Sequence, residues 1–149
     1  METRTPPLKD ARFWAAVAAA PLVWGLGWWL WRPLPDWGWP WRRPEELVLL
    51  GLAYPVVEEM IFRGLLQGEL RRWRWARSAR WGISGANLVT SLVFTALHFF
   101  SHPPLAAASV MLPSLVFGHF RDRYGHIGAS VTLHCFYNIG YFWIFTSSA

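Results

Sequence analysis

Five apolar stretches run through this chain and alternate with shorter segments rich in charged residues, proline and tryptophan. They lie at about residues 13–31, 47–69, 83–101, 105–120 and 126–145. A helix needs roughly 20 predominantly apolar residues to cross a bilayer, and the fourth stretch is the shortest. The pattern predicts an all-α polytopic membrane helix bundle of about five transmembrane helices, or four if the fourth stretch does not cross.

The first stretch resembles a secretory signal peptide in its position but not in its length. Signal peptides have an apolar region of roughly 7–15 residues before a small-residue cleavage site. Here the apolar region is longer, and the small residues Ala18 and Ala20 are followed directly by Pro21. We therefore interpret 13–31 as a retained helix. Without internal repeats or a low-complexity linker, the chain is predicted to be one membrane-embedded domain over residues 1–149.

Composition and charge favour a membrane location. The 149 residues are 54% hydrophobic and include 12 Trp, which is too apolar for a soluble domain of this size. The net charge of +5 could indicate a nucleic-acid partner, but the basic residues lie almost entirely between the apolar stretches, as topology signals do. We predict a multi-pass protein of the cell membrane that contacts the lipid bilayer and has no nucleic-acid partner. Its predicted location is the bacterial inner membrane, with the N-terminus in the cytoplasm.

Two Trp-rich segments are interpreted as interfacial. Seven Trp lie between Trp24 and Trp41, together with three prolines, and the segment from Arg71 to Trp81 alternates Arg with Trp. Indoles favour the headgroup level of a bilayer, and arginines there attract anionic lipid. The lone cysteine, Cys135, excludes an internal disulfide and is interpreted as a packing residue.

Three ionisable residues, Glu58, Glu59 and Arg63, interrupt the second apolar stretch. Charges at bilayer depth are unfavourable and rarely persist without a function. On a helix Glu59 and Arg63 share a face, while Glu58 lies about 100° away, so one carboxylate can pair with Arg63 and the other can serve as a general base. The alternative is an ion pair that only holds helices together. Pro55 is expected to loosen the helix and admit water.

Two later stretches carry further pairs at helical spacing. Phe94 and His98 are four apart, as are His134 and Asn138. A carboxylate can take a proton from water, and an imidazole or amide N–H can hold a developing oxyanion. No serine or cysteine stands in an evident nucleophile arrangement with a base, so activated water is favoured over covalent catalysis. His102, four residues after His98, could join the site.

Taken together, three motifs lie in order on separate apolar stretches: Glu58-Glu59-xxx-Arg63, Phe94-xxx-His98 and His134-xxx-Asn138. This arrangement resembles the CPBP family of intramembrane proteases, named for CAAX-prenyl proteases and bacteriocin-processing enzymes. Residues 112–138 are similar to the family's last conserved region over their whole length. The resemblance covers a motif core of about residues 45–142.

The resemblance implies a role for each matching position. Glu58 would activate the water with His98 beside it, while His134 and Asn138 would bind and polarise the scissile carbonyl. The supporting residues would be Glu59, Arg63 and Phe94. Two His and a Glu can also bind zinc, which is the alternative cofactor. We favour a glutamate protease without a metal site and predict no cofactor.

The implied substrate is a membrane-anchored protein, cleaved near a C-terminal anchor or sorting signal. Many family members have about eight spans, so the way substrate reaches the site is an open question. Processing of a lipidated protein at a CAAX-type terminus is the alternative activity. Two rivals from other classes are a non-catalytic membrane immunity or assembly protein and a proton-coupled transporter. Five helices without an inverted repeat disfavour the transporter.

Overall fold

The computed structural model describes residues 6–146, and helices dominate them. After a 3-10 turn at Pro7–Lys9, the α-helices are, in chain order, α1 Ala11–Trp31, α2 Trp39–Arg42, α3 Pro44–Val48, α4 Tyr54–Glu59, α5 Gln67–Leu70, α6 Arg74–Arg77, α7 Gly85–His98, α8 Pro104–Ser109, α9 Met111–Tyr124 and α10 Gly128–Phe145. Two π-helical segments, Leu49–Ala53 and Met60–Leu66, join α3, α4 and α5 into one helical run. The prediction of an all-α protein is confirmed, with a small β-hairpin added between α6 and α7.

The predicted apolar stretches correspond to helices of different lengths. The first and last stretches are α1 and α10, and the second lies within the helical run from α3 to α5. The third is shorter than predicted because the chain turns after α7, and the fourth is divided between α8 and α9. Within residues 6–146, α1 alone is both long enough and apolar enough to cross a membrane, judged by helix length and composition. The number of membrane spans therefore stays a prediction.

The chain divides into two compact units. The first unit contains the described residues up to 57 together with those from 132, and the second unit contains residues 58–131. Each has its own packing. The prediction of one domain over residues 1–149 concerns the relation between these units and stays a prediction.

In the first unit, glycines allow large side chains to pack against the helices. A Cβ on Gly140 would lie 2.1 Å from the Trp24 ring, and one on Gly51 would lie 2.8 Å from Ile139. The Trp24 ring also contacts Phe136 at a centroid distance of 5.2 Å. Small residues at helix contacts are characteristic of membrane helix packing, where close approach increases van der Waals contact.

One member of the first Trp-rich segment is a core residue rather than an interfacial one. Trp39 is fully buried, stacks on Phe142 and donates its indole N–H to Glu46 Oε2 at 3.0 Å. That hydrogen bond lowers the pKa of the Glu46 carboxyl, and a further hydrogen bond from Arg43 acts in the same direction. The neighbouring Trp37 and Trp41 are exposed, as expected for interfacial indoles.

In the second unit, a ladder of polar contacts joins the helical run and its C-terminal end to α9. Every fourth residue of the run donates to every fourth residue of α9. The rungs are Arg63 Nη2 to Ser114 Oγ at 2.6 Å, Gln67 Nε2 to Gly118 O at 2.9 Å, and Arg71 Nη1 to Asp122 Oδ1 at 2.5 Å. Because residue numbers rise together on both sides, these two segments run parallel.

Helix α7 also packs against α9, through a buried asparagine. Asn87 donates to Leu115 O at 2.9 Å and accepts a hydrogen bond from Ser91 Oγ at 3.1 Å. A Cβ on Gly118 would lie 1.9 Å from Asn87 Oδ1, so only glycine leaves room for this side chain. In the second unit the helical run, α7 and α9 are therefore joined by buried polar contacts, which act as interhelical attachments in membranes.

Candidate active site

The helix that carries Glu58 and Glu59 is irregular on both sides of them. α4 is one and a half turns long and lies between the two π-helical segments, Leu49–Ala53 and Met60–Leu66. Such wide turns leave backbone carbonyls without their usual i+4 partners and occur frequently at functional sites. The loosening expected from Pro55 is therefore present as π-helical turns.

Glu59 and Arg63 form the intrahelical ion pair expected from their spacing. Glu59 Oε1 lies 3.0 Å from Arg63 Nη1, and both side chains are fully buried. The guanidinium also lies over the rings of Phe94 at 4.7 Å and Phe117 at 5.5 Å, between α7 and α9. Arg63 Nη2 donates to Ser114 O and Oγ. A planar, delocalised cation suits this combination of aromatic faces and directed hydrogen bonds better than an ammonium would.

His98 continues this contact chain on the other side of Phe94. The two rings are 4.4 Å apart between centroids, and His98 Nδ1 lies 2.8 Å from Phe94 O. A carbonyl oxygen only accepts, so Nδ1 carries the hydrogen and donates it. In the neutral tautomer with the hydrogen on Nδ1, Nε2 is the lone-pair nitrogen that can accept a proton. His102 stacks on His98 at 5.3 Å, so the predicted proximity of these two histidines is present.

Glu58 differs from Glu59 in its environment. Its side chain is half-buried, whereas Glu59 is fully buried, and it acts electrostatically on Arg63 without being the ion-pair partner at Nη1. The two adjacent glutamates therefore occupy distinct positions around one arginine. Within the second unit, the structure joins Glu59, Arg63, Phe94 and His98 in one chain of contacts.

The other two predicted catalytic residues lie on α10 in the first unit. His134 is buried, with 5% of its surface exposed, and Asn138 is half-buried. Asn138 Nδ2 donates to Leu50 O at 3.0 Å. The convergence of His134 and Asn138 with Glu58 and His98 stays a prediction.

Pro55 explains why Leu50 O is available to accept the hydrogen bond from Asn138. In a π-helical turn, Leu50 O would accept from the N–H five residues later, and that residue is Pro55, which has none. The N–H of Tyr54 bonds to Leu49 O instead. Asn138 supplies the donor that Leu50 O would otherwise lack. Since an amide NH2 carries two hydrogens, the second remains for a ligand.

Sequence reasoning missed the polar ladder that supports the arginine. Gln67, Ser114 and Asp122 were not identified, although each side of the ladder repeats at spacing four. The signal would have been polar residues at positions i, i+4 and i+8 of one helix, Arg63, Gln67 and Arg71, facing a second helix with Ser114 and Asp122 eight residues apart. Among residues 6–146, no group of three His, Cys, Asp or Glu side chains is arranged to hold a metal ion.

The sequence matches a known protein family over most of its length. Residues 40–140 match the family described as type II CAAX prenyl endopeptidase Rce1-like. The chain belongs to this family. The matched range includes every predicted site residue and corresponds closely to the motif core of 45–142. No curated protein and no solved structure matches the chain.

Membership of the Rce1-like family confirms the resemblance to the CPBP intramembrane proteases. The family consists of membrane helix proteins, so the chain is a membrane protein, and an intramembrane endopeptidase activity is supported at this level. The predicted sorting-signal subtype is a finer assignment than the family match gives.

Proposed function

We propose that this protein is an intramembrane endopeptidase that hydrolyses a peptide bond near the C-terminal membrane anchor of a protein, using water activated by Glu58. The observation that carries the proposal is the buried contact chain from Glu59 through Arg63 and Phe94 to His98, directly beside Glu58. Buried charges in a membrane helix call for a functional explanation, and family membership supports a protease.

The ion pair supports Glu58 as the base. Arg63 is committed to Glu59, Ser114 and two aromatic rings, so it is a fixed positive charge rather than a mobile group. Glu58, half-buried and adjacent, lies beside that cation, and its carboxylate accepts a proton from water. Because His98 Nδ1 donates to Phe94 O, Nε2 is left as the acceptor, and it orients the same water.

Asn138 supplies the complementary carbonyl-binding group in this mechanism. Its fixed orientation on Leu50 O directs the second amide N–H toward the scissile carbonyl oxygen, with His134 as the neighbouring donor. Donors fixed before reaction stabilise the oxyanion strongly because they need no reorganisation. Water oxygen bonds to the carbonyl carbon while its proton passes to Glu58. Collapse then breaks the C–N bond, and Glu58 returns the proton to the leaving amine.

The proposed anchor of the substrate is a transmembrane helix close to the substrate's C-terminus. A prenylated C-terminus is the second candidate, because the matched family is described as CAAX prenyl endopeptidases. The two share an apolar anchor that places the scissile bond at the membrane. We place the enzyme as a multi-pass protein of the bacterial inner membrane with its N-terminus in the cytoplasm.

Proteoliposomes with purified protein and defined substrates test the function. One peptide carries a small-residue motif, a transmembrane helix and a basic tail, and the other ends in a prenylated cysteine within a CAAX-type terminus. Cleavage of either peptide, read by product mass and absent with Glu58→Gln, supports the peptidase. Cleavage of only the prenylated peptide would replace the helix-anchored substrate class by the lipidated one.

A non-catalytic membrane partner is the main rival. Such a protein would bind an anchored substrate or toxin without product formation, and Glu58→Gln would leave the binding unchanged. A transporter would instead couple Glu58 and Glu59 to proton movement. Binding of both peptides without any product, under conditions in which the protein is folded, would favour the binding protein over the peptidase.

Pro55→Ala is expected to lower kcat while leaving the protein folded. The new N–H competes with Asn138 for Leu50 O, so the amide loses the contact that orients it. Small displacements of a positioning group lower rates by on the order of tenfold to a hundredfold. Pro44→Ala is the matched control, since Pro44 opens α3 where its missing N–H has no helical partner. Unchanged kcat in Pro55→Ala, measured with the peptide that is cleaved, would remove the positioning role.

Asn138→Ala tests the metal-free mechanism together with the oxyanion donor. Loss of one such donor lowers kcat on the order of 100-fold or more. Zinc bound by His98, His134 and a glutamate would make Asn138 a bystander to coordination. We expect no stoichiometric metal by elemental analysis, full activity after chelation, and severe impairment of Asn138→Ala. Activity lost on chelation and restored by zinc would contradict the metal-free mechanism and leave the protease assignment standing.

A further inference from the structure

A small hairpin in the second unit presents a tryptophan at an unusual backbone position. β1, Ala79–Arg80, pairs antiparallel with β2, Ile83–Ser84, through a two-residue turn. Both turn residues have positive φ, 52° at Trp81 and 82° at Gly82, as in a type I′ turn. Glycine adopts this conformation readily but tryptophan does not, and the Trp81 side chain is 97% exposed. A strained and exposed indole indicates that this turn contacts a surface other than water.

The hairpin is fixed to α9 by hydrogen bonds from both sides. His119 Nδ1 donates to Gly82 O at 2.8 Å. Ser84 Oγ donates to Asp122 Oδ2 at 2.5 Å, while Asp122 Oδ1 accepts from Gln67 and Arg71. The turn and β2 are therefore tied to the last rung of the polar ladder. The segment between α5 and α7 is an organised structure rather than a loose connection.

A cleft of about 340 Å³ lies between the hairpin and α9. Its lining includes Arg71, Arg77 and Arg123 together with Asp122 and His119. The three arginines outnumber the one carboxylate, so the cleft carries a net positive charge. The Asp122 side chain is 13% exposed and accepts three hydrogen bonds, one of them from Arg71. With Arg71 balanced by Asp122, the lining keeps the positive charges of Arg77 and Arg123.

The chain segment that contributes Arg71, Arg77 and Gly82 to the cleft also carries indoles suited to a membrane surface. Trp73 and Trp75, on the segment before the hairpin, are 63% and 59% exposed, and Trp81 stands at the turn. Tryptophan is favoured at the headgroup level of a bilayer, where its ring is partly in contact with lipid and partly with water. Arg71 lies twelve residues, about three helical turns, after Glu59 along the helical run. The cleft is therefore separate from the candidate active site.

We propose that this cleft binds the phosphate group of an anionic phospholipid headgroup. Guanidinium groups bind phosphate oxygens through paired, charge-assisted hydrogen bonds, and basic pockets at membrane surfaces recognise anionic headgroups. The volume is at the lower end of the roughly 300–1,000 Å³ found for ligand pockets, which fits a headgroup rather than acyl chains. The indoles place the cleft where a headgroup is available. Free phosphate shares the chemistry but not the location.

Lipid titration of the full-length protein by native mass spectrometry tests the site. Protein in neutral detergent is titrated with phosphatidylglycerol or with zwitterionic phosphatidylcholine. The test variant is Arg77→Ala/Arg123→Ala. The control, Arg74→Ala/Arg80→Ala, removes two exposed arginines of the same segment that do not line the cleft. We expect the preference for phosphatidylglycerol to fall about tenfold more in the test variant than in the control.

Competing outcomes distinguish the source and the specificity of binding. Equal losses in both double variants would show a diffuse charge effect and overturn the site. Inorganic phosphate is added as a separate probe, and we expect it to bind far more weakly than phosphatidylglycerol. Equal affinity for phosphate alone, sensitive to the same arginines, would overturn the lipid as its source. Thermal unfolding checks that the test variant is folded. If it is misfolded, the single variant Arg77→Glu, at an exposed position, replaces it. An unchanged preference for phosphatidylglycerol in Arg77→Glu would overturn the proposal.

Discussion

Glu58→Gln should abolish proteolysis and leave the yield of folded protein at the wild-type level. Glutamine preserves the size of the side chain but cannot accept the proton of the attacking water. Because Glu58 is half-buried and Glu59 holds the Arg63 ion pair, this change leaves the buried charge pair intact. General-base catalysis contributes on the order of 10²–10⁴-fold to a rate, so cleavage should fall by at least that factor.

The measurement is product formation in proteoliposomes, with thermal unfolding of the same preparations. Glu69→Gln is the matched control, because Glu69 is 64% exposed and lies on the same helical run. We expect wild-type cleavage in the control. Residual activity in Glu58→Gln close to the wild-type rate, at equal protein and equal stability, would remove Glu58 from the chemistry.

Arg63→Ala should chiefly destabilise the fold. Removing one partner of a fully buried ion pair leaves an uncompensated charge, which costs roughly 3–5 kcal/mol. The change also removes the guanidinium from between two aromatic rings and its hydrogen bonds to Ser114, so packing between α7 and α9 is lost with the charge. Denaturant unfolding in detergent or lipid measures this loss directly.

Two further variants separate the ion pair from general sensitivity to mutation. Arg72→Ala removes an exposed arginine whose partner Glu69 is also exposed, and such pairs contribute about 0–1 kcal/mol. Arg63→Met combined with Glu59→Gln removes both charges, so it should be more stable than Arg63→Ala alone. Equal folding defects in Glu58→Gln and Arg63→Ala would instead indicate that the whole cluster is structural.

Local spacing was sufficient to predict part of this structure. The i,i+4 relation of Glu59 and Arg63 predicts the ion pair, and that of Phe94 and His98 predicts their ring contact. The proline pair after His102 predicts the break before α8. Each of these features depends on residues within one or two turns, where helix geometry fixes which side chains meet.

Contacts between distant segments were not predictable in the same way. The ladder joins residues 51 positions apart, and its parallel register depends on how helices pack rather than on any local pattern. Gly118 is an example, since its need for glycine arises from Asn87 on another helix. Trp39 was assigned to the interface by composition, but Phe142 and Glu46 provide a buried place for it.

The candidate site shows the same division. Sequence motifs identify its residues, while their supports come from tertiary contacts, such as Ser114 for Arg63 and Leu50 O for Asn138. The contact with Leu50 depends on a π-helical turn that is followed closely by Pro55, and no periodic pattern of apolar residues predicts a turn of that kind.

The central claim is that Glu58 and His98 share one water-activating site with His134 and Asn138, and thiol cross-linking tests it most directly. In a Cys135→Ala background, Glu58→Cys is paired with His134→Cys and treated with a short bifunctional thiol reagent. The control replaces His134→Cys by Thr132→Cys, an exposed position about 200° around α10. We predict an intramolecular cross-link in the first pair and little in the control. Thiols at 58 and 134 that each label singly but never cross-link, in folded protein, would contradict the shared site.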